Sequence, residues 1–346
     1  MDIPVLHSDG PSGQVGRTLT GVDAEIAESL KRFIEDREAY SERTWSQLQY
    51  VFRAWGRWCW ERDYPLLPIH HSHMREYVFH LATKYSVNSV TLHMSLLAMI
   101  QQQAQLVPAN IHPDVKRAMK KVRRQFAEAG QFTGQAIPIS IDDLRMIART
   151  WQDSDKLVDA RNLAFLVVSY HTLLRISELS RLKVKDFQPL SNGMATLFIG
   201  RTKTNLTGSG TVKALGKWAT SIVNSWLQKS GLDKHPDAIL FPPIHRSGKA
   251  RVTTTPMTTK YMEIIFSEAW FAINDEPADP ENGRYTTWTG HSARVGAAVD
   301  MAERGVSLPE IMREGGWRKP ETVLRYIRRK EAFSSAMLDI TDDDDA

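Results

Sequence analysis

Apolar positions recur at helical spacing throughout the first third of the chain. Residues three and four positions apart form a stripe after Asp23, which predicts an amphipathic helix there. A second helix is predicted from Ser41, a favourable N-cap residue, and its stripe includes Trp45, Trp55 and Cys59. Because aromatic residues at this spacing usually face a core, they favour packing over a base-stacking platform. Further helices are predicted at about 69–84, 87–104 and 112–126.

The pattern changes at residues 127–140, where two glycines, a proline and small polar residues interrupt the helices. This stretch is predicted to be an interdomain linker. Beyond it, residues 195–204 alternate apolar and polar side chains like a strand, and residues 207–215 resemble a turn and a return strand. The remaining helices are predicted at 141–152, 158–173, 175–183, 216–229, 256–272, 291–303, 307–314, 320–330 and 333–340.

These elements predict a mainly α fold with two domains. A loose arm at 1–20 precedes a helical N-terminal domain at 21–126. The linker leads to a mostly helical domain at 141–338 that contains a small antiparallel sheet. The chain ends in an acidic tail at 339–346, which is either a solvated terminus or a DNA mimic that competes for a basic surface.

Composition narrows the class of protein. The 346 residues, 42% of them hydrophobic, are sufficient for two cores. The single cysteine, Cys59, excludes a disulfide framework and any zinc site built on cysteines. The N-terminus lacks the basic and apolar regions of a signal peptide, and no apolar run approaches a membrane span of about 18 residues. We therefore expect a soluble, cytoplasmic protein.

The net charge of +4 conceals an asymmetry. Without the last eight residues, which contain five aspartates and no base, the chain has 44 basic and 35 acidic residues and a net charge of +9. Six bases fall within nine residues of the helix predicted at 112–126: Lys116, Arg117, Lys120, Lys121, Arg123 and Arg124. Such crowding is unfavourable unless something neutralises it. DNA phosphates would do so, whereas the alternative is a solvated face balanced by acids elsewhere.

Three histidines, His70, His71 and His73, come nearest to a metal-binding motif. Neither a cysteine nor a carboxylate at ligand spacing completes them, so no metal is expected. The phosphate-binding motifs GxxxxGK[ST] and GxGxxG are absent as well. The sequence therefore indicates neither an ATP-driven nor a dinucleotide enzyme, and no cofactor is expected.

Candidate catalytic residues are concentrated in the second domain. They are Arg175, Glu178, Lys203, His291, Arg294, Trp317 and Tyr326. Each signal is weak alone, but together they fit one reaction. Two arginines can hold the nonbridging oxygens of a phosphodiester and stabilise the charge of the transition state. A tyrosine can attack the phosphorus if nearby cations favour loss of its proton, and a lysine can protonate the departing 5′ oxygen.

This ordered set resembles the motif of the tyrosine site-specific recombinases of the phage integrase type, with Trp317 where many relatives have histidine. The resemblance extends from about residue 20 to about residue 330. It implies a 3′-phosphotyrosyl intermediate on Tyr326, with Lys203 as the general acid. It also implies that Arg175 and Arg294 clamp the scissile phosphate.

The same resemblance assigns the remaining residues and the partners. His291 and Trp317 would complete the hydrogen bonds to the phosphate, His291 would help to accept the tyrosine proton, and Glu178 would position the site. The implied partner is double-stranded DNA, held in a C-shaped clamp at inverted repeats around a short spacer. A homodimer would bind each site and a homotetramer would join two sites, without ATP or metal.

Base-reading positions differ from those of a well-known phage member of this family. That relative has an arginine, in a helix that enters the major groove, where this sequence has Lys260, and a lysine lacks the bidentate fork of arginine. Gln47 falls where that relative contacts the major groove, Asn88 replaces a lysine, and Arg284 is retained. We therefore expect a different target sequence. Candidate phosphate contacts are Lys116, Lys120, Lys121 and Arg124.

Two other functions remain open from the sequence. An accessory DNA-binding protein would have no need of Tyr326 or Lys203. An enzyme similar to a type IB topoisomerase would use the same tyrosine chemistry to relax DNA. The final predicted helix, FSSAMLDI, distinguishes recombination if it docks into a neighbouring protomer, but it could also pack within its own domain.

Overall fold

The computed structural model describes residues 21–130, 134–200, 210–278 and 285–333. The chain divides into two compact units, Met1–Thr133 and Gly134–Ala346. The predicted arm and acidic tail, and all but the first residue of the helix predicted at 333–340, lie outside the described residues. Among the described helices, none combines the length and the apolar composition that crossing a bilayer requires.

The N-terminal unit is helical and has an aromatic core. Its helices are α1 (Gly21–Glu35), α2 (Glu42–Trp60), α3 (His71–Ala82), α4 (Val87–Gln103) and α5 (Pro113–Glu128). Ser41 caps α2 as predicted, because its side chain accepts a hydrogen bond from the Thr44 backbone N–H at 3.1 Å. Trp55 is fully buried and stacks on Trp58 at a centroid distance of 5.2 Å. The aromatic stripe of α2 is therefore core, as its spacing predicts.

The C-terminal unit combines eight described helices with a small sheet. They are α6 (Ile141–Trp151), α7 (Leu157–Thr172), α8 (Ile176–Leu179), α9 (Lys217–Ser230), α10 (Thr259–Ile273), α11 (Ser292–Glu303), α12 (Leu308–Gly315) and α13 (Pro320–Phe333). The strands are β1 (Phe187–Pro189), β2 (Ala195–Ile199) and β3 (Thr211–Leu215), antiparallel in the order β1-β2-β3. The mainly α fold with a small antiparallel sheet is confirmed.

Three local predictions need correction. Helix α5 continues to Glu128, two residues into the stretch predicted as linker. Helix α8 ends at Leu179, so the helix predicted at 175–183 is too long. Strand β1, which pairs with β2, was missed because three residues are too few for alternation to be recognised.

Helix α7 is the buried axis of the C-terminal unit. Five consecutive residues, from Ala164 to Val168, are fully buried, so every face of this helix packs against protein. It ends at Thr172, and the C-cap residue Leu173 has a φ of 54°, in the left-handed region that residues other than glycine rarely adopt. This turn leads the chain directly into Arg175 and α8.

Helix α11 is fixed by a close approach to the segment that precedes α6. The Ile139 backbone N–H donates a hydrogen bond to the Ser292 carbonyl at 3.1 Å. A Cβ on Gly296 would lie 1.7 Å from the Ile139 carbonyl oxygen, so only glycine permits this contact. Gly296 thereby fixes the position of the helix that carries Arg294.

Candidate active site

Arg175 is held by a buried carboxylate. Glu178 accepts a hydrogen bond from the Arg175 backbone N–H at 2.9 Å and another from Nη1 at 3.1 Å. The Glu178 side chain is 5% exposed and that of Arg175 is 29% exposed. A charge-assisted pair of this kind fixes the guanidinium while part of it remains accessible to an anion.

Arg294 is buried beside Arg175 and is held by backbone carbonyls. Its Nη1 donates to the carbonyl of Leu173, and its Nη2 donates to the carbonyl of Gly315 at 3.0 Å. The left-handed turn that ends α7 and the last residue of α12 therefore orient the guanidinium. Burial, together with the charge of Arg175, lowers the pKa of Arg294 to about 10, which leaves it protonated at neutral pH.

Trp317 packs against Arg294, and the two glycines that precede it in the sequence leave room for its ring. The Arg294 Cζ lies 4.9 Å from the centroid of the indole ring. Gly316 has a φ of 62° and ends α12 in the left-handed conformation. A Cβ on Gly315 would lie 2.0 Å from the indole, so this position must lack a side chain. The Gly-Gly-Trp sequence therefore has a specific steric reason.

Tyr326 lies on α13, which begins at Pro320 as predicted. Its ring meets that of Trp317 edge to face, with centroids 5.7 Å apart. Burial raises the pKa of Tyr326, while the charges of Arg294, Arg325 and Arg175 act against this effect. The expectation that cations favour deprotonation is correct in sign, but burial outweighs them and the phenol is protonated at neutral pH.

His291 precedes α11 directly, at its N-cap position. Part of this residue is exposed, yet the protein around the ring displaces enough water to lower the imidazole pKa, and the charges of Arg294 and Arg175 lower it further. The ring is therefore neutral at pH 7 and can accept a proton.

The described structure brings six of the seven candidate catalytic residues into one region. Arg294 contacts Trp317, Trp317 contacts Tyr326, and the charges of both arginines act on Tyr326. The same two charges act on His291. The seventh residue, Lys203, lies outside the described residues. The arrangement can present four groups to one bound anion: two guanidinium cations, a neutral imidazole base and a phenol that becomes a nucleophile when it loses its proton.

Three contributions to the site are missing from the sequence-based list. The first two are the backbone carbonyls of Leu173 and Gly315. The third is Lys213 on β3, whose Nζ donates to the Glu314 carbonyl at 2.6 Å and to its carboxylate at 3.1 Å. This contact ties the hairpin to the end of α12. The Gly-Gly-Trp sequence could have indicated the contribution of Gly315, whereas the other two have no signal in the sequence.

The candidate DNA-contacting residues that are described lie at the surface. Lys260 is exposed near the start of α10 and Asn88 near the start of α4, whereas Gln47 on α2 is partly exposed. Arg284 lies outside the described residues. Three of these positions are therefore accessible to a large ligand.

All six bases of α5 are exposed, opposite a buried stripe that includes Val115 and Val122. Arg117 pairs with Asp114, and Arg124 pairs with Glu128 at 2.7 Å. Within the described part of the chain, the other four bases have no ion pair. They are Lys116, Lys120, Lys121 and Arg123. Acids of the same helix thus balance only part of the charge.

Comparison with known proteins identifies the class. The model of the phage integrase family matches residues 139–332. Recombinase Cre of Escherichia phage P1 is 35% identical over 342 residues, which are 98% of this chain and 98% of Cre. The chain belongs to the phage integrase family. It is a tyrosine recombinase similar to Cre, an enzyme that cleaves and rejoins DNA through a phosphotyrosine intermediate.

Solved structures agree on the fold. The Tn1549 transposon integrase in complex with circular intermediate DNA has a TM-score of 0.58 at 15% identity, over 87% of this chain and 94% of that one. XerH recombinase, bound to a palindromic difH substrate after cleavage, has a TM-score of 0.56 at 15% identity, over 93% and 91%. At this identity the likeness concerns the fold alone.

Proposed function

We propose that Tyr326 is the nucleophile of a DNA strand transesterification. Its phenolic oxygen forms a bond to the scissile phosphorus, and the bond from phosphorus to the 5′ oxygen breaks. The phenolic proton passes to His291, and Lys203 donates a proton to the departing 5′ oxygen. Attack by the 5′ hydroxyl of another strand reverses these steps and releases Tyr326. Each phosphoester formed replaces one of similar energy, so exchange needs no ATP.

Arg175 and Arg294 hold the nonbridging oxygens of the phosphate in this scheme. Arg294 supports the role because it is buried, charged and fixed at both nitrogens by carbonyls, so little reorganisation accompanies the reaction. Glu178 is a positioning residue that acts through Arg175. Trp317 donates its indole N–H to the phosphate while its ring supports Arg294.

A protonated tyrosine requires a base at the moment of attack. His291 has a lowered pKa and Tyr326 a raised one, so at neutral pH the imidazole is free to accept a proton and the phenol still holds one. The raised pKa of Tyr326 and the lowered pKa of His291 therefore support general-base catalysis over attack by a preformed phenolate.

We further propose that the DNA partner contains inverted repeats around a short spacer, on nucleoid DNA in the cytoplasm of a bacterial, phage or plasmid system. A homodimer binds each site and a homotetramer joins two. Residues 21–128 form a core-binding domain, 129–140 a linker and 141–338 the catalytic domain. The proposed base readers are Lys260, Arg284, Gln47 and Asn88. The proposed phosphate contacts are Lys116, Lys120, Lys121 and Arg124.

The convergence of Arg294, Trp317 and Tyr326 is the observation that carries this proposal. Covalent trapping tests it. The protein is incubated in EDTA with a library of inverted-repeat duplexes that are nicked in the spacer, so that cleavage cannot reverse. We expect a denaturation-resistant adduct with the wild type and none with Tyr326→Phe, which still binds DNA. Sequencing the trapped DNA reveals the target. An adduct with Tyr326→Phe excludes this nucleophile.

A further inference from the structure

The fold brings two further metal-ligating side chains to His71, one of the three histidines that the sequence leaves without a complete metal site. His71 is the first residue of α3, and it lies against His112 and Asp114 at the start of α5. We propose that His71, His112 and Asp114 bind a divalent first-row transition metal ion, with Zn²⁺ as the preferred ion. The site lies in the N-terminal unit and involves none of the residues assigned to DNA cleavage.

The distances between the three side chains fit a shared ion. Asp114 Oδ2 lies 3.5 Å from His71 Nδ1 and 3.6 Å from His112 Nδ1. One ligand atom from each side chain lies within 4.8 Å of the others. Two ligands bound at about 2.0–2.1 Å to a tetrahedral zinc ion are about 3.4 Å apart. The observed separations are too long for good hydrogen bonds but match the edge of such a tetrahedron.

His71 Nδ1 also lacks a partner. This nitrogen is buried and has no hydrogen bond within the described part of the chain. A buried polar atom without a partner is costly, and a metal ion would satisfy it. The rings of His71 and His112 stack with centroids 3.6 Å apart. Because a metal lies in the plane of each imidazole that binds it, one ring must turn about χ2, a soft torsion.

The neighbours of Asp114 are arranged to support a metal ligand. Its Oδ1 accepts a hydrogen bond from Arg117, which orients the carboxylate and leaves Oδ2 facing the histidines. His112 Nδ1 accepts a hydrogen bond of 3.3 Å from the Asp114 backbone N–H, which the metal bond would replace. Two imidazoles and one carboxylate favour Zn²⁺ over Mg²⁺, with a water molecule at the fourth position.

Calorimetry on the full-length protein, freed of metal by a chelating resin, tests the proposal with Zn²⁺ as the probe. We expect one ion per chain and a higher Tm in its presence. His112→Asn keeps a good N-cap residue but removes the imidazole. It should weaken zinc binding by more than about tenfold, since loss of even a supporting contact costs that much. The Tm of the metal-free variant should be unchanged. Asp114→Asn should also lose the zinc-dependent rise in Tm.

His245→Asn is the matched control. His245 Nδ1 likewise accepts a hydrogen bond from a backbone N–H, that of Ser247 at 3.2 Å, but among the described residues it forms no metal-ligand group with a second histidine or a carboxylate. This variant should bind zinc as the wild type does. Unchanged binding by His112→Asn would show that His112 is not a ligand and overturn the proposal. So would a wild type without stoichiometric binding.

Discussion

The guanidinium of Arg294 lies over the indole of Trp317, with its Cζ 4.9 Å from the ring centroid. Arginine stacks well on aromatic faces, and the attraction is greatest where water is excluded. Arg294 is 2% exposed, and the carbonyls of Leu173 and Gly315 occupy two of its nitrogens. Trp317 therefore restricts a cation whose hydrogen bonds already fix its plane.

Two substitutions of Trp317 should distinguish the contribution of its ring to cleavage from that of its N–H donor. Trp317→Phe keeps an aromatic face but loses the donor, so we expect single-turnover cleavage to fall about tenfold. Trp317→Ala also loses the contact with Arg294, worth about 1–2 kcal/mol, and should fall about a further tenfold. Trapped target DNA in single-turnover assays provides the measurement. Equal losses in both variants would show that the ring contributes nothing to Arg294.

Gly315→Ala should damage both stability and cleavage. The added Cβ would meet the Trp317 ring at 2.0 Å, and such overpacking costs about 1–3 kcal/mol. Thermal unfolding and the cleavage rate are the measurements. Gly56→Ala is the control, because its Cβ would meet Leu66 at an ordinary 3.5 Å and alanine favours the helix. A Gly315→Ala variant with wild-type Tm and cleavage would contradict the close packing.

Glu178→Gln should slow cleavage without weakening DNA binding by more than about threefold. The amide oxygen can still accept from the Arg175 backbone N–H, but its NH2 group then faces the Nη1 donor, so the charge-assisted bond, worth about 1.5–3 kcal/mol, is lost. Gel-shift and cleavage assays on the same DNA separate the two effects. Glu128→Gln, which loosens only the exposed pair with Arg124, should leave cleavage unchanged. A large loss of DNA affinity in Glu178→Gln would exclude a positioning role.

Residue types and order were sufficient to predict the class of protein and the mainly α fold. Helical spacing locates α2 and its core stripe because amphipathicity is a local property of sequence. The i, i+3 pair of Arg175 and Glu178 could be predicted for the same reason, and the structure contains its ion pair. Strand β1 and the end of α8 were missed because short elements depend on tertiary contacts.

Backbone geometry and burial explain the remaining differences. The left-handed conformation of Leu173 has no signal in the sequence, yet it aims the carbonyl that holds Arg294. The raised pKa of Tyr326 depends on how deeply α13 packs, which residue types do not reveal. The proximity of His71 to His112 depends on how α3 and α5 pack, so local ligand spacing could not indicate it.

Lys203→Ala should slow cleavage of ordinary DNA far more than cleavage of DNA with a 5′-thiol leaving group. A thiolate departs without a proton, whereas an alkoxide requires one, so the thiol substrate bypasses a missing general acid. Single-turnover rates on the two substrates provide the comparison, with Tyr326→Phe inactive on both. If Lys203→Ala slowed both substrates equally, the lysine would not be the acid.

The pH dependence of cleavage should reveal the base. The pKa of His291 lies below its ordinary 6.5, so the imidazole is neutral above that value and the rate should be level from about pH 7 upward. As the pH falls through the lowered pKa, the imidazole gains a proton and the rate should fall. In His291→Ala the burial-raised pKa of Tyr326 leaves the phenol protonated without a base, so the rate should instead climb with pH until Arg294, with its pKa of about 10, begins to lose its charge. Single-turnover cleavage between about pH 5 and 10, with DNA binding measured at each pH, tests both expectations. A His291→Ala profile parallel to that of the wild type would assign the proton to another acceptor.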